Sequence, residues 1–325
     1  PRIVRADPDR PDLSLLVEAA QLMRSGGLVA FPTETVYGLG ANALDVDAVA
    51  RLFAAKGRPA DNPLIIHIAD RAQLADLTLR VSPLARSLAE RFWPGPLTIV
   101  LDAAEALPRL TIGGHSTVAV RIPDHPIAIA LLSAAAVPIA APSANRSGRP
   151  SPTTAEHVVA DLDGHIDLII DGGPCPVGLE STVVDARGAS PVILRPGAVT
   201  AELLGVAGPP PAADASRSAS PGTRYRHYAP RCQVAIVAPG TGPARADLEA
   251  AAGRSVGLVA TAPATDPRVR MLAVFTDAAS LASDLYEALR AGETAGVDVV
   301  VVEAVPEAGI GRAVMDRLRR AAEGE

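Results

Sequence analysis

The sequence predicts an α/β protein with a mixed sheet in its longer N-terminal part and a smaller α/β layer near its C-terminus. Apolar residues make up 48% of the 325 residues and aromatic residues only 3%, a composition typical of helices packed on buried strands. Apolar runs bounded by Gly and Pro alternate with segments of helical periodicity. Some predicted strands are joined by connections too short for a helix, which favours a mixed sheet over a purely parallel one.

The N-terminal part begins with a helix and a strand that end at recognisable stop signals. Residues 13–24 carry apolar side chains at helical spacing and are followed by Ser25-Gly26-Gly27, a typical helix end. The apolar run 28–31 is halted by Pro32, so a buried strand leads into the polar loop 32–35. Loops at strand ends are where α/β proteins hold ligands.

The alternation continues as far as residue 194. Further helices are predicted at 46–55, 84–92, 127–135 and 154–160. Further strands are predicted at 64–68, 97–101, 118–122, 137–141, 167–170, 182–184 and 192–194.

The composition changes near residue 204. Residues 205–220 are rich in Gly, Pro, Ala and Ser and predict a linker. Beyond them, strands at 234–237, 256–260, 271–275 and 297–302 and helices at 244–252, 278–291 and 310–322 indicate a small Rossmann-like domain. The predicted division is therefore a domain of residues 1–204, a linker of residues 205–231 and a small domain of residues 232–325.

Charge and cysteine content exclude several classes of protein. With 30 basic and 36 acidic residues, the formal charge of −6 provides no global basic field for nucleic acid or a membrane surface, so an anion must meet a local cluster. Cys175 and Cys232 form no CxxC pair, which disfavours a disulfide framework and a zinc site and suits a reducing cytoplasm. The longest uncharged run, 127–142, is shorter than the ~20 residues of a spanning helix, so a cytoplasmic protein is expected.

Lys56 is the only lysine among the 30 basic residues. Because arginine serves everywhere else, a lone lysine indicates a place that needs a compact ammonium, such as a phosphate site; codon drift is the alternative. Lys56 and Arg58 lie in a loop stiffened by Gly57 and Pro59 and form a plausible phosphate cradle, with a solvated helix end as the alternative.

Standard nucleotide signatures are absent or out of context. Gly38-Leu39-Gly40-Ala41-Asn42-Ala43 matches a dinucleotide pattern, but Pro32 and Glu34 interrupt its approach and no helix follows directly, which disfavours a dinucleotide site. There is no Walker A, HExxH or GxSxG motif. His67 and Arg121 interrupt apolar strands, and a hydrogen-bonded core histidine is the alternative for His67.

Six segments in order resemble the threonylcarbamoyl-AMP synthases, the YrdC/Sua5 family, over residues 10–200. They are 31–39 (FPTETVYGL), 56–64 (KGRPADNPL), 93–96 (WPGP), 141–145 (APSAN), 178–182 (GLEST) and 194–197 (LRPG). Residues 220–230 resemble the linker motif of the longer Sua5 branch, although Thr223-Arg224 stands where that branch usually has Met-Lys. The resemblance implies a YrdC-type twisted mixed sheet with flanking helices, followed by the small C-terminal domain.

The resemblance also implies an activity: L-threonine, bicarbonate and ATP become threonylcarbamoyl-AMP and pyrophosphate for t6A modification of adenosine 37 in tRNA. Catalysis is expected from Lys56, Arg58, Ser143 and Asn145. L-threonine is expected at Thr35, His67, Arg121, the main chain of Ala141, and Ser181. ATP is expected at Arg58, Asn62, Thr117, Ser143, Ser151, Arg195 and Tyr228.

Other partners follow from the same resemblance. Mg²⁺ is expected as a counter-ion of the phosphates, although no protein metal site is predicted, and a tRNA threonylcarbamoyl transferase complex would receive the product. Contact with tRNA is expected to be weak. Residues 225–230 hold two of the four tyrosines, which predicts a segment docked as a lid over the nucleotide rather than a passive tether. The alternatives are a carbamoyl-transfer enzyme of the hydrogenase-maturation type and a non-enzymatic RNA-binding protein.

Overall fold

A computed structural model describes residues 1–206 and 227–323. Most of the predicted linker, including 220–226 of the linker motif, lies outside the described residues. The described chain divides into two compact units. The first contains Pro1–Ser147, Pro152–Pro176 and residues 180–206, and the second contains Gly148–Ser151, Val177–Leu179 and residues 227–323.

The first unit is built on a ten-stranded sheet in the order β1-β8-β2-β3-β7-β4-β6-β5-β9-β10. Its strands are β1 Arg2–Arg5, β2 Val29–Phe31, β3 Gly38–Asn42, β4 Ile65–His67, β5 Leu97–Asp102, β6 Thr117–Arg121, β7 Ile139–Ala140, β8 Leu168–Asp171, β9 Thr182–Asp185 and β10 Val192–Arg195. β4 and β6 pair in parallel, whereas β5 and β6 pair in antiparallel fashion. The mixed sheet predicted from the short connections is confirmed.

Helices flank this sheet. They are α1 Leu13–Arg24, α2 Val46–Lys56, a 3₁₀ turn at Arg71–Gln73, α3 Leu74–Leu77, α4 Pro83–Phe92, α5 Pro126–Ala135, α6 Ala155–Leu162 and α7 Ala201–Leu204. The Asp45 side chain caps the start of α2 by accepting from the N–H groups of Asp47 and Ala48. The helix ends at Gly57, whose φ of +61° is the left-handed conformation that glycine adopts without strain. Lys56 is therefore the last residue of α2.

The two faces of the central strands pack against apolar clusters of different size. Val118 and Val120 of β6 belong to the large core beneath the helices, whereas Ala119 joins a small apolar cluster on the opposite face. The other members of that cluster are Ile65, Val100, Val183 and Leu194. Because successive side chains of a strand point to opposite faces, Thr117 and Arg121 share the face of Ala119.

Sequence reasoning missed β3. The Gly-rich segment that matches a dinucleotide pattern is a buried strand, paired antiparallel to β2 and β7. Gly40 is required there, because a Cβ at this position would lie 2.9 Å from Phe31 Cε1 and 3.1 Å from Met23 Sδ. Also missed were the strand β1 and the short helices α3 and α7.

The second unit contains a four-stranded parallel sheet in the order β11-β14-β12-β13. Its strands are β11 Gln233–Val237, β12 Val256–Ala260, β13 Arg270–Val274 and β14 Val299–Glu303, and its helices are α8 Gly242–Ala251, α9 Ala278–Thr294 and α10 Gly311–Ala322. The predicted small α/β layer is confirmed. Across the described residues of both units, every helix is too short or too polar to cross a bilayer.

Candidate active site

A row of polar side chains crosses one face of the first unit's sheet. His67 of β4 pairs with Arg121 of β6 in parallel register, so their side chains lie on the same face. Thr98 of β5 precedes Ile99, the partner of Val120, and its hydroxyl lies 2.7 Å from that of Ser181 just before β9. The row borders the small apolar cluster around Ala119. An apolar floor with a polar edge is the usual lining of a small-molecule site.

The β2–β3 loop adds a hydrogen-bond relay with a defined direction. The Thr33 hydroxyl donates to the carbonyl of Val36 over 2.7 Å, so in its 2.8 Å contact with Thr35 it must accept. Thr35 in turn accepts from Arg121 Nη1 at 2.9 Å. Because the Thr35 proton is committed to Thr33, the remaining capacity of Thr35 toward a ligand is as an acceptor.

All three side-chain nitrogens of Arg121 contact other residues, although Arg121 lies inside a strand. Its Nε donates to the carbonyl of Gly95 at 3.1 Å, and its Nη2 lies 2.6 Å from Glu34 Oε2. Arg121 is 3% exposed and Glu34 7%. With Nε and one Nη1 hydrogen engaged, the outer edge of the guanidinium keeps donors for a carboxylate, which arginine binds in bidentate fashion.

His67 is a buried neutral imidazole with an assignable tautomer. Its Nδ1 lies 3.3 Å from the carbonyl of Ile65, which can only accept, so Nδ1 carries the proton and Nε2 is an acceptor. Burial and the charge of Arg121 lower the pKa of His67 from 6.5 to about 3. The side chain therefore accepts a hydrogen bond at neutral pH and does not provide a positive charge.

Lys56 is buried at the end of α2, and its ammonium donates to the main-chain carbonyls of Ser143 and Asn145. The Ser143 hydroxyl donates to Asn145 Oδ1 at 2.5 Å, and Asn145 Nδ2 donates to the carbonyl of Arg146 at 2.7 Å. Three of the four residues predicted as catalytic thus form one hydrogen-bonded group. In this group Lys56 anchors the loop that carries Ser143 and Asn145.

Arg58, the fourth predicted catalytic residue, stabilises its own loop. Its Nε donates to the carbonyl of Asn62 at 3.3 Å and its Nη2 to that of Pro63 at 2.9 Å. Arg58 and Asn62, predicted together at the ATP site, are thereby brought together.

Arg195 and Ser181 form a second group at the start of β9. Arg195 Nη2 donates to the main-chain carbonyl of Ser181 at 3.0 Å and to its hydroxyl at 3.2 Å. The same carbonyl also accepts a hydrogen bond from Arg195 Nε at 3.2 Å. Because Ser181 contacts Thr98, the predicted ATP residue Arg195 and the predicted threonine residue Ser181 belong to one network.

Four predicted residues remain. Thr117 is buried at the start of β6. The Ala141 N–H donates to the carbonyl of Ile65 at 2.9 Å, and His67 Nδ1 contacts the same carbonyl. Ser151 and Tyr228 belong to the second unit. Tyr228 has a φ of +66°, stacks on Tyr286 with ring centroids 5.5 Å apart, and lies beneath the Arg317 guanidinium.

Sequence reasoning did not assign roles to Thr33, Glu34, Thr98 and His125. Thr33 and Glu34 stand in the loop beside Thr35, and Thr98 interrupts an apolar strand, which is a usable signal. His125, at the start of α5, has no local signal. Among residues 1–206 and 227–323 no group of three or more His, Cys, Asp or Glu side chains could hold a metal ion.

Comparison with known protein families matches both parts of the chain. The Sua5/YciO/YrdC family model, described as "Telomere recombination", matches residues 21–197. A family model described as "Threonylcarbamoyl-AMP synthase, C-terminal domain" matches residues 195–323.

Individual relatives match over nearly the whole chain. Threonylcarbamoyl-AMP synthase from Pyrococcus abyssi is 48% identical over 93% of this chain and 92% of its own length. That from Bacillus subtilis is 46% identical over 95% of this chain and 93% of its own. The crystal structure of P. abyssi Sua5 complexed with L-threonine superposes with a TM-score of 0.92, at 44% identity, over 99% of this chain and 98% of that one.

These matches disfavour the alternatives of a hydrogenase-maturation-type enzyme and of an RNA-binding protein, because relatives of matching length carry one name. The chain belongs to the Sua5/YrdC family of threonylcarbamoyl-AMP synthases.

Proposed function

We propose that this enzyme, a nucleotidyltransferase, forms threonylcarbamoyl-AMP and pyrophosphate from L-threonine, bicarbonate and ATP. The single observation that carries the proposal, beside family membership, is the polar row on the sheet. It joins Arg121, His67 and Thr35 at one end to Ser181 and Arg195 at the other, beside an apolar floor.

The first group suits an amino acid. The outer edge of the Arg121 guanidinium would take the α-carboxylate. Thr35 and His67 Nε2 are acceptors and would receive the ammonium and hydroxyl protons of threonine, with Ser181 and the Ala141 main chain completing the pocket. A site that pairs with the hydroxyl disfavours valine, because valine would leave buried acceptors unpaired.

The second group suits a nucleotide. Ala119 and its neighbours offer an apolar surface, and Arg195 and Arg58 supply local positive charge in a chain whose formal net charge is −6. Asn62, Thr117, Ser143, Ser151 and Tyr228 complete the proposed ATP contacts on the family resemblance. Residues 225–230 would act as the lid that keeps water from the product.

The chemistry needs positioning and charge stabilisation more than a strong base. The threonine amine bonds to the carbon of bicarbonate, which loses water, and a carbamate forms. An oxygen of this carbamate attacks the α-phosphorus of ATP, a P–O bond forms, and the bond to pyrophosphate breaks. Negative charge accumulates on the nucleophile and the phosphates, so Arg58 with the Ser143 and Asn145 loop would stabilise it. Lys56 would act by fixing that loop through its carbonyls.

Other roles are proposed on the resemblance. Mg²⁺ would accompany the ATP phosphates; the described residues offer no acidic cage for it, so the phosphates would supply most of its ligands. The chain would act in the cytoplasm as a domain of residues 1–204, a linker and lid of residues 205–231 and a small domain of residues 232–325. It would deliver its product to a tRNA threonylcarbamoyl transferase complex and touch tRNA only weakly.

The test is product analysis with the full chain and labelled ATP. AMP and pyrophosphate should form only when L-threonine and bicarbonate are both present. Arg121→Lys, which keeps the charge but loses the planar fork, should raise the KM for threonine more than the KM for ATP. Formation of ADP and phosphate, or turnover that ignores threonine, would refute the proposal.

A further inference from the structure

Three buried polar side chains beside the Thr35 relay have unsatisfied atoms. They are both carboxylate oxygens of Glu34, Nη2 of Arg121 and Nδ1 of His125, none of which has a hydrogen-bond partner among the described residues. Each side chain is at least nine-tenths buried, with Glu34 and His125 7% exposed and Arg121 3%. Buried polar atoms without partners are costly, so such a concentration in one place calls for an explanation.

The Arg121–Glu34 ion pair is close but poorly aligned. Nη2 and Oε2 are only 2.6 Å apart, yet the angle at the hydrogen is too bent for a hydrogen bond. A structural arginine–carboxylate pair is normally a parallel, two-pronged one. This pair instead neutralises charge and leaves Arg121 Nη2 and both oxygens of Glu34 without a hydrogen bond.

His125 lies near the start of the same loop. A Cβ added at Gly172 would be 2.8 Å from Pro32 Cγ and 3.7 Å from His125 Cε1, so the imidazole and the start of the loop flank one glycine. Burial lowers the pKa of His125, and the charges of Glu34 and Asp124 partly oppose that shift. An imidazole with its proton on Nδ1 would be a ready donor for the Glu34 carboxylate.

We propose that Glu34 is a carboxylate switch: it neutralises Arg121 while the amino-acid site is empty and moves to His125 Nδ1 when the substrate carboxylate takes its place on Arg121. The inference rests on the proposed function, since it assigns the α-carboxylate of threonine to Arg121. Glu34 is then a positioning residue that sets threonine affinity. It also penalises ligands that cannot displace it, because only a second carboxylate can replace the charge that Arg121 loses.

The direction in which Glu34→Gln changes the affinity for L-threonine distinguishes a switch from a fixed structural support. Glu34→Gln keeps the shape but removes the competing charge, so the full chain should bind L-threonine about tenfold more tightly, equivalent to about 1.4 kcal/mol. L-Threoninol, which lacks the carboxylate, should bind the variant and the unaltered chain equally. Glu18→Gln removes the same charge from an exposed pair with Arg2 and should change neither affinity.

His125 supplies an independent test. His125→Phe removes the second partner and should weaken L-threonine binding about fivefold or more, whereas His125→Gln, which retains a donor, should largely restore it. In the Glu34→Gln background His125→Phe should not change L-threonine affinity further, because no carboxylate remains to accept a hydrogen bond from His125.

The outcomes are distinct. Unchanged or weaker threonine binding by Glu34→Gln, or additive effects of the two substitutions, would overturn the switch while leaving the proposed function intact. Absence of L-threonine binding by the unaltered chain in the same calorimetric titration would overturn both. If Glu34→Gln does not fold, the comparison of His125→Phe with His125→Gln on L-threonine and L-threoninol still decides: equal losses for both ligands would refute the switch.

Discussion

The ammonium of Lys56 donates a hydrogen bond to the main-chain carbonyl of Asn145, and a second one to that of Ser143. The only lysine of the chain is the last residue of helix α2, and its two hydrogen bonds hold the loop that follows β7. A compact ammonium can hydrogen-bond two carbonyls of one loop at this buried position, whereas a larger planar guanidinium would displace its neighbours.

Lys56→Arg is expected to lower turnover at least ~10-fold, or ~1.4 kcal/mol of transition-state stabilisation, because the loop bearing Ser143 and Asn145 would shift. Since Lys56 is 2% exposed, the larger side chain should also lower the melting temperature. The measurement is kcat for pyrophosphate release, with thermal unfolding alongside. Arg51→Lys, an exchange on the solvent-accessible side of the same helix, is the control and should stay within about threefold. Equal kinetics for Lys56→Arg and the unaltered chain would assign the single lysine to codon drift.

Thr35→Val is expected to raise the KM for threonine by about tenfold or more, because Arg121 Nη1 would lose its acceptor and the relay to Thr33 would break. Thr35→Ser retains the hydroxyl and should remain close to the original affinity. Steady-state kinetics at saturating ATP and bicarbonate give the comparison. If valine and serine at this position behave alike, the relay has no part in binding threonine.

The buried neutral His67 should make stability depend on pH. Its pKa is about 3 in the folded chain, against 6.5 for an unperturbed histidine, so its stabilising contribution is complete above pH 6.5 and is lost as the pH falls toward 3. Within that window a proton that binds only the unfolded chain lowers the free energy of unfolding by up to about 1.4 kcal/mol for each pH unit of acidification. The free energy of unfolding, measured with denaturant at several pH values in the window, should have a shallower slope against pH for His67→Gln than for the unaltered chain. His165→Gln, at an exposed histidine, should leave the slope unchanged, and an equal slope for His67→Gln would contradict the buried neutral state.

Tyr228 and Tyr286 form a stack within the second unit, which offers a matched pair of variants. Tyr228→Ala and Tyr286→Ala each remove one ring and should cost similar stability. If residues 225–230 form a lid over ATP, only Tyr228→Ala should weaken ATP binding, by about tenfold, and increase the hydrolysis of product. Calorimetric titration with ATP and product yield over time are the measurements. Identical behaviour of the two variants would show that Tyr228 serves packing alone.

Several features followed from local sequence and were confirmed. The helix predicted at residues 13–24 has those bounds, because its apolar spacing and the Gly26-Gly27 stop act over a few residues. The valine-rich strand β14 and the segments around it predicted the parallel layer of the second unit. The six motifs also identified the family, since six specific residue patterns occur in one order along the chain.

Other features depend on which strands become neighbours, and local sequence carries no signal for that. Gly38–Asn42 has little intrinsic strand preference, and it is a strand because Phe31, Met23 and Ile139 close over Gly40. Residues 67, 98, 121 and 181 meet only because β4, β6, β5 and β9 lie side by side. Lys56, predicted beside the phosphates, donates to carbonyls that lie 87 and 89 residues away along the chain, and local sequence gives no sign of those contacts. The sequence by itself determined which residues could do chemistry, because side-chain type and local period are written in it. Tertiary structure alone decided which of them touch, because strand pairing and burial are long-range and are settled by the packing of the whole sheet.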